Sequence, residues 1–346
     1  MKNLFSIILF LVVVVGCKQP FPKTSEMALA GPIVANLATT FVVFIAGFDE
    51  GDSAYYDNAK RYYEEKDMTL VEGLFSIEEI ISWLNQHSNP EAVYDEIHIV
   101  THSNPWLGMS LKTFKKGERI TVRTLEQAKA NNEIPTLENG IKQDTKIIFH
   151  SCGLGQNQKL LKELKHAFTA EQAPKVYASP FFNVFGGKYA PHYLAKPYYN
   201  FYPTAESKGP AILAIEFNNL YDKTDIDWRN AIENRQETTL GEAYSYKFNI
   251  PVDWVVTFDS NSVIPELNDT EAIMDFVSES SEMAETLYRL KIPLEKYRWR
   301  SEIRGNMLII KGKTTVLCVL EPILDATDTN EYRNVSLADS HSYQIL

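Results

Sequence analysis

Two short segments of this chain each lead to a side chain that can take part in nucleophilic catalysis. Ile97–Val100 leads to His102, and Lys146–Phe149 leads to Cys152. An imidazole accepts the proton of a neighbouring thiol, and the thiolate that results attacks a carbonyl carbon. The two residue types therefore predict Cys152 as a nucleophile and His102 as a general base that later returns the proton as an acid.

The elements that must position this pair follow from the same segments. Apolar runs rich in β-branched residues predict buried strands, and chemistry in an open α/β sheet gathers where such strands end. The separation of 50 positions between His102 and Cys152 suffices for a loop, a helix or hairpin, and a parallel return strand. We therefore expect both side chains to end strands of one sheet and to meet in one crevice.

Neighbouring residues complete the expected chemistry. Gly153 permits a tight turn into a predicted helix, whose N-terminus favours the thiolate. Backbone N–H groups of that turn can hold an oxyanion. Asp49, after the first predicted strand, is a candidate acidic partner for His102; the alternative is that it belongs to a solvated acidic loop.

The first part of the chain alternates predicted strands and helices, which indicates a largely parallel sheet between helices. The predicted strands are 41–47, the segment that ends at His102, 146–150 and 175–179. The predicted helices run from Ser53 to about Glu65, from Ser76, where Glu79 completes a capping-box pattern, and from about Asn157 to Phe168. A turn at 115–117 between two short strands and a helical stretch at 125–130 are expected between the first two site strands.

The second half has a different pattern. The tyrosine- and proline-rich segment 189–202 predicts a long surface loop, and segments 211–217 and 252–258 predict strands. A helix is expected over 270–290, followed by an antiparallel meander with turns at 304–306 and 311–313. We therefore predict an α/β domain over 40–200. The α+β region 201–346 either extends it with antiparallel strands or forms a second domain.

The N-terminus predicts export and a lipid anchor. The apolar stretch Leu4–Val15 is too short to cross a membrane as a stop-transfer helix. The small residue Gly16 and then Cys17 follow it, which resembles the lipobox of bacterial lipoproteins; a plain signal peptide is the alternative. The resemblance implies that residues 1–16 are removed, that Cys17 is acylated and that 17–39 form a tether. Lys18, directly after the cysteine, favours the outer membrane of the cell envelope.

The two predicted strand ends also resemble a known family. Thr101-His102-Ser103 and Ser151-Cys152-Gly153, in this order and each after a strand, are similar to motifs of the caspase-like cysteine peptidases. That group includes caspases, metacaspases, clostripain, gingipains and CHAT domains. The resemblance covers about residues 41–187. It implies a caspase-like fold and an endopeptidase that cleaves a peptide or protein substrate with a His102/Cys152 dyad and no cofactor.

Two positions depart from the family pattern. Glycine usually follows the histidine, and its N–H helps to hold the oxyanion; in this chain Ser103 stands there. The residue two positions before the nucleophile often lines the specificity pocket, as aspartate where arginine or lysine is cleaved. Here that residue is His150, which does not favour a basic residue before the scissile bond.

The sequence gives less support to other classes of function. A net charge of −11 with no concentrated basic segment argues against a nucleic-acid partner. Contact with a membrane is expected through the lipid anchor alone. The remaining histidines lack metal-ligand spacing, and no Gly-x-Ser-x-Gly elbow supports a serine hydrolase. A disulfide between Cys152 and Cys318 is a minor alternative, because Cys318 lies in an apolar strand. The alternative function is an inactive caspase-like lipoprotein that serves in binding, adhesion or assembly.

Overall fold

A computed structural model of the chain describes residues 40–49, 54–88, 93–186, 190–233, 244–324 and 335–346. The signal peptide, the lipidated Cys17 and the tether predicted from the sequence lie outside the described residues. No helix within the described ranges is both long enough and apolar enough to cross a membrane.

The described elements are fourteen strands and eight α-helices. The strands, in chain order, are β1 (Phe41–Ala46), β2 (Thr69–Leu74), β3 (Glu96–Val100), β4 (Ser103–Asn104), β5 (Gly108–Lys112), β6 (Arg119–Ile120), β7 (Lys146–His150), β8 (Lys175–Ala178), β9 (Phe182–Phe185), β10 (His192–Phe201), β11 (Tyr244–Thr257), β12 (Arg298–Arg304), β13 (Met307–Pro322) and β14 (Gln344–Ile345). The helices are α1 (Ala54–Glu64), α2 (Ile77–His87), α3 (Val122–Ala130), α4 (Gln158–Ala167), α5 (Pro210–Leu220), α6 (Trp228–Glu233), α7 (Thr270–Glu279) and α8 (Ser281–Leu290).

A six-stranded sheet has the order β14-β8-β7-β3-β1-β2. Its strands pair in parallel except for β14, which pairs antiparallel with β8. Ile97 and Ile99 pack with the apolar stripes of α2 and α4, whereas Val43 and Ile45 pack with α1. Helices therefore flank a mostly parallel sheet, which confirms the predicted α/β class.

The helices around this sheet begin where the sequence signals place them. Ser76 caps α2 by accepting a hydrogen bond from the N–H of Glu79 at 3.2 Å, and its hydroxyl donates to the Glu79 carboxylate at 3.0 Å. Asn157 caps α4 by accepting a hydrogen bond from the N–H of Leu160 at 3.0 Å. The second cap fixes the start of the helix that follows the Cys152 turn.

An antiparallel sheet joins β9 and β10 to β11, β12 and β13. β13 pairs with three of these strands: β10, β11 and β12. The sheet thus takes strands from both sides of residue 200, the predicted boundary. A third, three-stranded sheet of β4, β5 and β6 follows His102, and the predicted turn at 115–117 lies between its last two strands.

Four segments of the second half differ from their predicted structure, and the first three change their type or extent of secondary structure. The tyrosine- and proline-rich segment is not a loop in its described part, because His192–Phe201 pairs as β10 with β9 and β13. Aromatic side chains suit a pleated surface between neighbouring strands, and this outweighed the proline signal. Segment 211–217 is helical within α5, where Pro210 occupies the first turn. The helix expected over 270–290 is two helices that meet at Ser280.

The turn predicted at 311–313 is absent, because β13 continues through this segment. Gly312 lies against the ring of Trp299, and a Cβ atom on it would sit 2.5 Å from the ring carbon Cζ3. The glycine therefore meets a requirement for close packing rather than for a turn.

Candidate active site

The two predicted dyad residues follow neighbouring strands at equivalent positions. β3 and β7 are parallel neighbours, and their register pairs Val100 with His150. His102 and Cys152 each come two residues later, so strand alternation directs them to the same side of the sheet. Both side chains line one cavity of about 220 Å³.

Four of the six residues predicted for the catalytic pocket line this cavity. They are His102, Cys152, Ser103 and Asp49. The other two predicted residues, Gly153 and His150, are not among the lining residues. Residues that were not predicted also line the cavity, including Tyr55, Arg119 and Asn183.

His102 is held by two tyrosines of α1. Its ring stacks on Tyr55 with ring centroids 4.5 Å apart, and Tyr56 meets it edge-on at 4.8 Å. The backbone N–H of His102 donates to the Tyr56 hydroxyl at 3.0 Å, and that hydroxyl donates to Asp49 Oδ1 at 2.9 Å. Burial, and then the Asp49 charge, raise the pKa of Tyr56, so its hydroxyl remains a donor. Asp49 thus reaches the His102 backbone through Tyr56.

Cys152 is buried, with 7% of its surface exposed. Its Sγ donates to the backbone carbonyl of Asn183 at 3.6 Å. The hydroxyl of Ser103 donates to the Cys152 carbonyl at 2.7 Å. Ser103 therefore links the turn after His102 directly to the turn that carries the thiol, a role that its position after the histidine did not reveal.

The Gly153 turn has a specific backbone geometry. Gly153 has a φ of 68°, in the left-handed region that favours glycine, and a Cβ atom on it would lie 2.9 Å from Cγ of Pro105. Its N–H donates to the carbonyl of Phe181 at 3.0 Å. This hydrogen bond uses one of the backbone N–H groups that we expected, from the sequence, to bind the oxyanion. A short 3₁₀ turn, Leu154–Gln156, then precedes α4.

His150 belongs to a buried histidine cluster, which we define as His98, His150 and His192 with Tyr63. His150 Nε2 lies 2.8 Å from the Tyr63 hydroxyl and 2.9 Å from His98 Nδ1. The His98 and His150 rings stack with an interplanar angle of 6°. Burial, followed by the neighbouring His192 and His98, holds the pKa of His150 well below its usual value. The structure thus places this predicted pocket residue among buried rings.

Asn183 connects the histidine cluster to the thiol. Its side-chain Oδ1 lies 3.1 Å from His192 Nε2, while its backbone carbonyl accepts from Cys152. Burial, and then the charges of Lys66 and His98, lower the pKa of His192 to about 3. His192 is therefore neutral at physiological pH. The sequence signal for Asn183 was an amide within the apolar stretch Phe182–Phe185.

Arg119 supplies a cation to the cavity. Its guanidinium lies over the Phe48 ring at 4.9 Å from the centroid, and burial lowers its pKa while Asp49 opposes that shift. From the second half of the chain, Leu320 is among the lining residues, and no acidic residue from that half joins it in the described lining. The cavity therefore combines the dyad with one cation and one carboxylate.

Both described cysteines are thiols, and Cys152 and Cys318 do not form a disulfide. They belong to the same apolar cluster, together with Phe182 and Val184. In the part of the chain that the structure describes, no group of three or more His, Cys, Asp or Glu residues is arranged to hold a metal ion.

Comparisons of this chain with models of protein families, with curated proteins and with solved structures found no match.

Proposed function

We propose that this protein is a cysteine endopeptidase of caspase-like fold, with Cys152 as nucleophile and His102 as general base and acid. One observation carries the proposal. His102 and Cys152 follow adjacent parallel strands at equivalent positions, and both line the same 220 Å³ cavity. A nucleophile and a base that open onto one concave site are the minimum arrangement for covalent hydrolysis of an amide.

The reaction would proceed in two halves. The Cys152 thiol gives its proton to His102, and Sγ attacks the peptide carbonyl carbon to form a tetrahedral oxyanion. The C–N bond breaks when His102 returns the proton to the leaving amine, which leaves a thioester. Water, deprotonated by His102, then attacks the thioester carbon. The C–S bond breaks, the carboxylic acid leaves, and His102 returns the proton to Sγ, which restores the thiol.

The surrounding contacts support this assignment because they restrict both reacting groups. Tyr55 and Tyr56 hold the ring and backbone of His102. Ser103 holds the carbonyl of Cys152 from the opposite turn. Positioning of this kind accelerates a reaction because reacting atoms must lie within about 3–3.5 Å in a productive complex. The cavity charges, one arginine and one aspartate, do not favour a basic residue before the scissile bond.

An inactive binding module is the second candidate, and the thiol environment favours it. Cys152 is buried in an apolar cluster with Phe182, Val184 and Cys318, and its Sγ lies 3.6 Å from the backbone carbonyl of Asn183. A buried cysteine in such surroundings often serves as a small hydrophobic side chain.

Labelling with electrophilic peptides separates the two candidates. Peptidyl acyloxymethyl ketones should modify the protein once, at Cys152, as seen by peptide mapping. Cys152→Ala should abolish labelling and peptide hydrolysis, whereas Cys318→Ala, a matched change of the other described cysteine, should leave both intact. Labelling of Cys318 in place of Cys152, or no hydrolysis across a diverse peptide library, would favour the inactive module. A library profile dominated by arginine or lysine before the scissile bond would refute the expected specificity.

We further propose that the protein is a lipoprotein of the bacterial envelope, anchored in the outer membrane through Cys17. The proposal rests on the apolar stretch and the cysteine that follows it. Intact-mass measurement of protein from envelope fractions should show a diacyl or triacyl adduct on Cys17. A mature N-terminus at another residue, without lipid, would contradict it.

A further inference from the structure

Four cations share one outward face of the antiparallel sheet. Arg298 and Arg300 lie on β12, and Lys311 and Lys313 lie on β13. The register places Arg298 opposite Lys313 and Arg300 opposite Lys311, so all four side chains leave the same side of the sheet. All four residues are exposed. We call this set the basic face.

The fold alone does not account for the basic face. Like charges directly opposite each other on neighbouring strands destabilise a sheet. Among the described residues, none of the four cations lies within ion-pair distance of a carboxylate. Glu302, on the same side of β12, pairs with Arg304 and attracts Lys311 only at longer range. The chain as a whole has a net charge of −11, so the positive charge of this face is opposite in sign to that of the whole chain. Gly312, between the two lysines, serves the packing of Trp299, but that contact lies on the other side of the sheet.

The basic face is concave. The four cations and Gly312 line a cavity of about 520 Å³ together with Pro251, Val252 and Asp253 of β11. Asp253 is opposite Lys311 in the register and is the one carboxylate among these lining residues. A depression lined by four cations and one carboxylate focuses a positive potential that attracts anionic groups.

A second depression lies between the basic face and the dyad turns. It has a volume of about 470 Å³ and shares Pro251–Asp253 of β11 with the first one. Trp106, from the turn between β4 and β5, and Gln156, from the 3₁₀ turn after Cys152, also line it. Segments that closely follow His102 and Cys152 therefore contribute to a surface that continues to the basic face.

We propose that the basic face binds an acidic, extended segment of polypeptide. Alternate residues of an extended chain are about 6.8 Å apart, which is also the spacing of Lys311 from Lys313 and of Arg298 from Arg300 along their strands. Carboxylates at positions i and i+2 of a bound segment would therefore meet successive cations. The surface that connects the basic face to the dyad region favours a polypeptide over a nucleic acid. We take the bound segment to be a part of the substrate away from the scissile bond, and this role rests on the proposed function.

The binding step can be measured without catalysis. A fluorescent peptide of alternating glutamate and serine is titrated with the Cys152→Ala protein, and its fluorescence anisotropy is compared with that of a glutamine–serine peptide. We expect binding of the acidic peptide alone, weakening as salt rises. Lys311→Gln/Lys313→Gln and Arg298→Gln/Arg300→Gln should each weaken binding at least tenfold. Lys159→Gln/Lys162→Gln, which removes two exposed lysines of α4, should leave it unchanged.

Two results would overturn the proposal. One is equal affinity of the acidic peptide for the parent protein and for both basic-face variants. The other is tighter binding of a single-stranded oligonucleotide of the same charge. Circular dichroism checks that the variants fold; because each replaces exposed side chains of one strand, the two pairs also serve as independent tests.

A second measurement separates this proposal from the proposed function. In the active protein, attaching the acidic segment to a cleavable peptide should lower KM without changing kcat, and the basic-face variants should remove that advantage. If the acidic peptide binds but nothing is hydrolysed, the peptidase assignment fails and the binding face stands. If hydrolysis occurs with a KM that is indifferent to the acidic segment and to both variants, the binding face fails and the peptidase assignment stands.

Discussion

The cavity at the dyad and the buried histidine cluster occupy successive positions on the same two strands, yet their histidines have opposite surroundings. His102 stacks on Tyr55 at the wall of a cavity. His150, level with Val100 in the register, is enclosed by Tyr63, His98 and other rings. An imidazole must gain and lose a proton to act as a general base, and burial opposes its charged form. The comparison indicates that a histidine placed two residues beyond a strand, like His102, can line a cavity. A histidine at the last position of a strand, like His150, is instead covered by neighbouring side chains.

The largest expected difference between the two regions is in catalysis. His102→Ala should lower kcat/KM by about 10²–10⁴-fold, because the proposed general base is lost. It should change the free energy of unfolding by less than about 1 kcal/mol, since the side chain borders a cavity. His150→Ala should instead lower the free energy of unfolding by about 2–5 kcal/mol, because it leaves a cavity in the interior, and should change kcat little. Hydrolysis assays and urea unfolding on both variants check this; equal catalytic losses would remove the distinction.

Acid should affect the histidine cluster strongly. The pKa of His192 is about 3 in the folded protein, against about 6.5 for an unperturbed histidine. The unfolded chain therefore binds more protons between these values, so stability is complete above about pH 6.5 and falls as the pH drops toward about 3. When the pH is lowered from about 7.5 to about 5, His192 should reduce the free energy of unfolding by about 2 kcal/mol. The lowered pKa of His150 adds to this loss of stability.

Urea unfolding across this pH range measures the effect. His192→Phe cannot be protonated, so it should reduce the dependence of unfolding free energy on pH, whatever its stability at neutral pH. His341→Gln, which replaces an exposed histidine outside the cluster, should leave the dependence unchanged. A His192→Phe protein with the same pH dependence as the parent would show that this residue is not held neutral.

The link between the dyad turns should have a smaller effect. Ser103→Ala removes the hydrogen bond to the Cys152 carbonyl and should cost about 1 kcal/mol of stability and about tenfold in kcat. Thr145→Val is a matched control, because the Thr145 hydroxyl donates to the carbonyl of Tyr94 at the opposite end of the same strands. It should cost similar stability without a change in kcat. If both variants lose activity equally, Ser103 has no positioning role.

The smallest expected difference concerns two tyrosine hydroxyls of α1. Tyr56→Phe breaks the connection from Asp49 to the backbone of His102 and should lower kcat a few-fold. Tyr63→Phe removes a hydroxyl 2.8 Å from His150 and should cost about 1 kcal/mol of stability with kcat unchanged. Steady-state kinetics with thermal unfolding distinguishes them, and a larger kcat loss for Tyr63→Phe would reverse the comparison.

Much of the parallel sheet could be predicted because its signals are local. The apolar runs that became β1, β3 and β7 are short and continuous, as strands covered on both faces should be. The caps at Ser76 and Asn157 are also encoded within a few residues. β2 was not predicted, since Thr69–Leu74 is a half-exposed edge strand that contains Glu72 and a glycine.

The antiparallel sheet was harder to predict because its strands depend on distant partners. Pro197 suggested a loop, but it lies opposite Leu320 within a pair of strands. Gly312 suggested a turn, but Trp299 requires it. The basic face escaped the sequence for the same reason: its two arginines and two lysines lie in separate segments, and only the register of β12 with β13 brings them together.

The site shows the same division. The sequence singled out His102 and Cys152 through the strand that precedes each of them, and both line one cavity. Asn183 and Arg119 reach that cavity from β9 and β6, so no local spacing connects them to the dyad. The ring cluster around His150 was not foreseen, because strand alternation alone does not specify what packs over a side chain at the end of β7.

The position of β13 in the antiparallel sheet has a consequence for the order in which the protein folds. β10 pairs with β13 from Ala195–Pro322 to Phe201–Val316, so more than a hundred residues separate the partners along the chain. Closing so long a loop before any stabilising contact forms is slow. The aromatic strand β10 must therefore wait, unpaired on that edge, until β13 has been synthesised. During this interval the nascent chain exposes a strand edge with unpaired backbone N–H and C=O groups. We expect chaperones to bind mainly at this edge while the protein is being made.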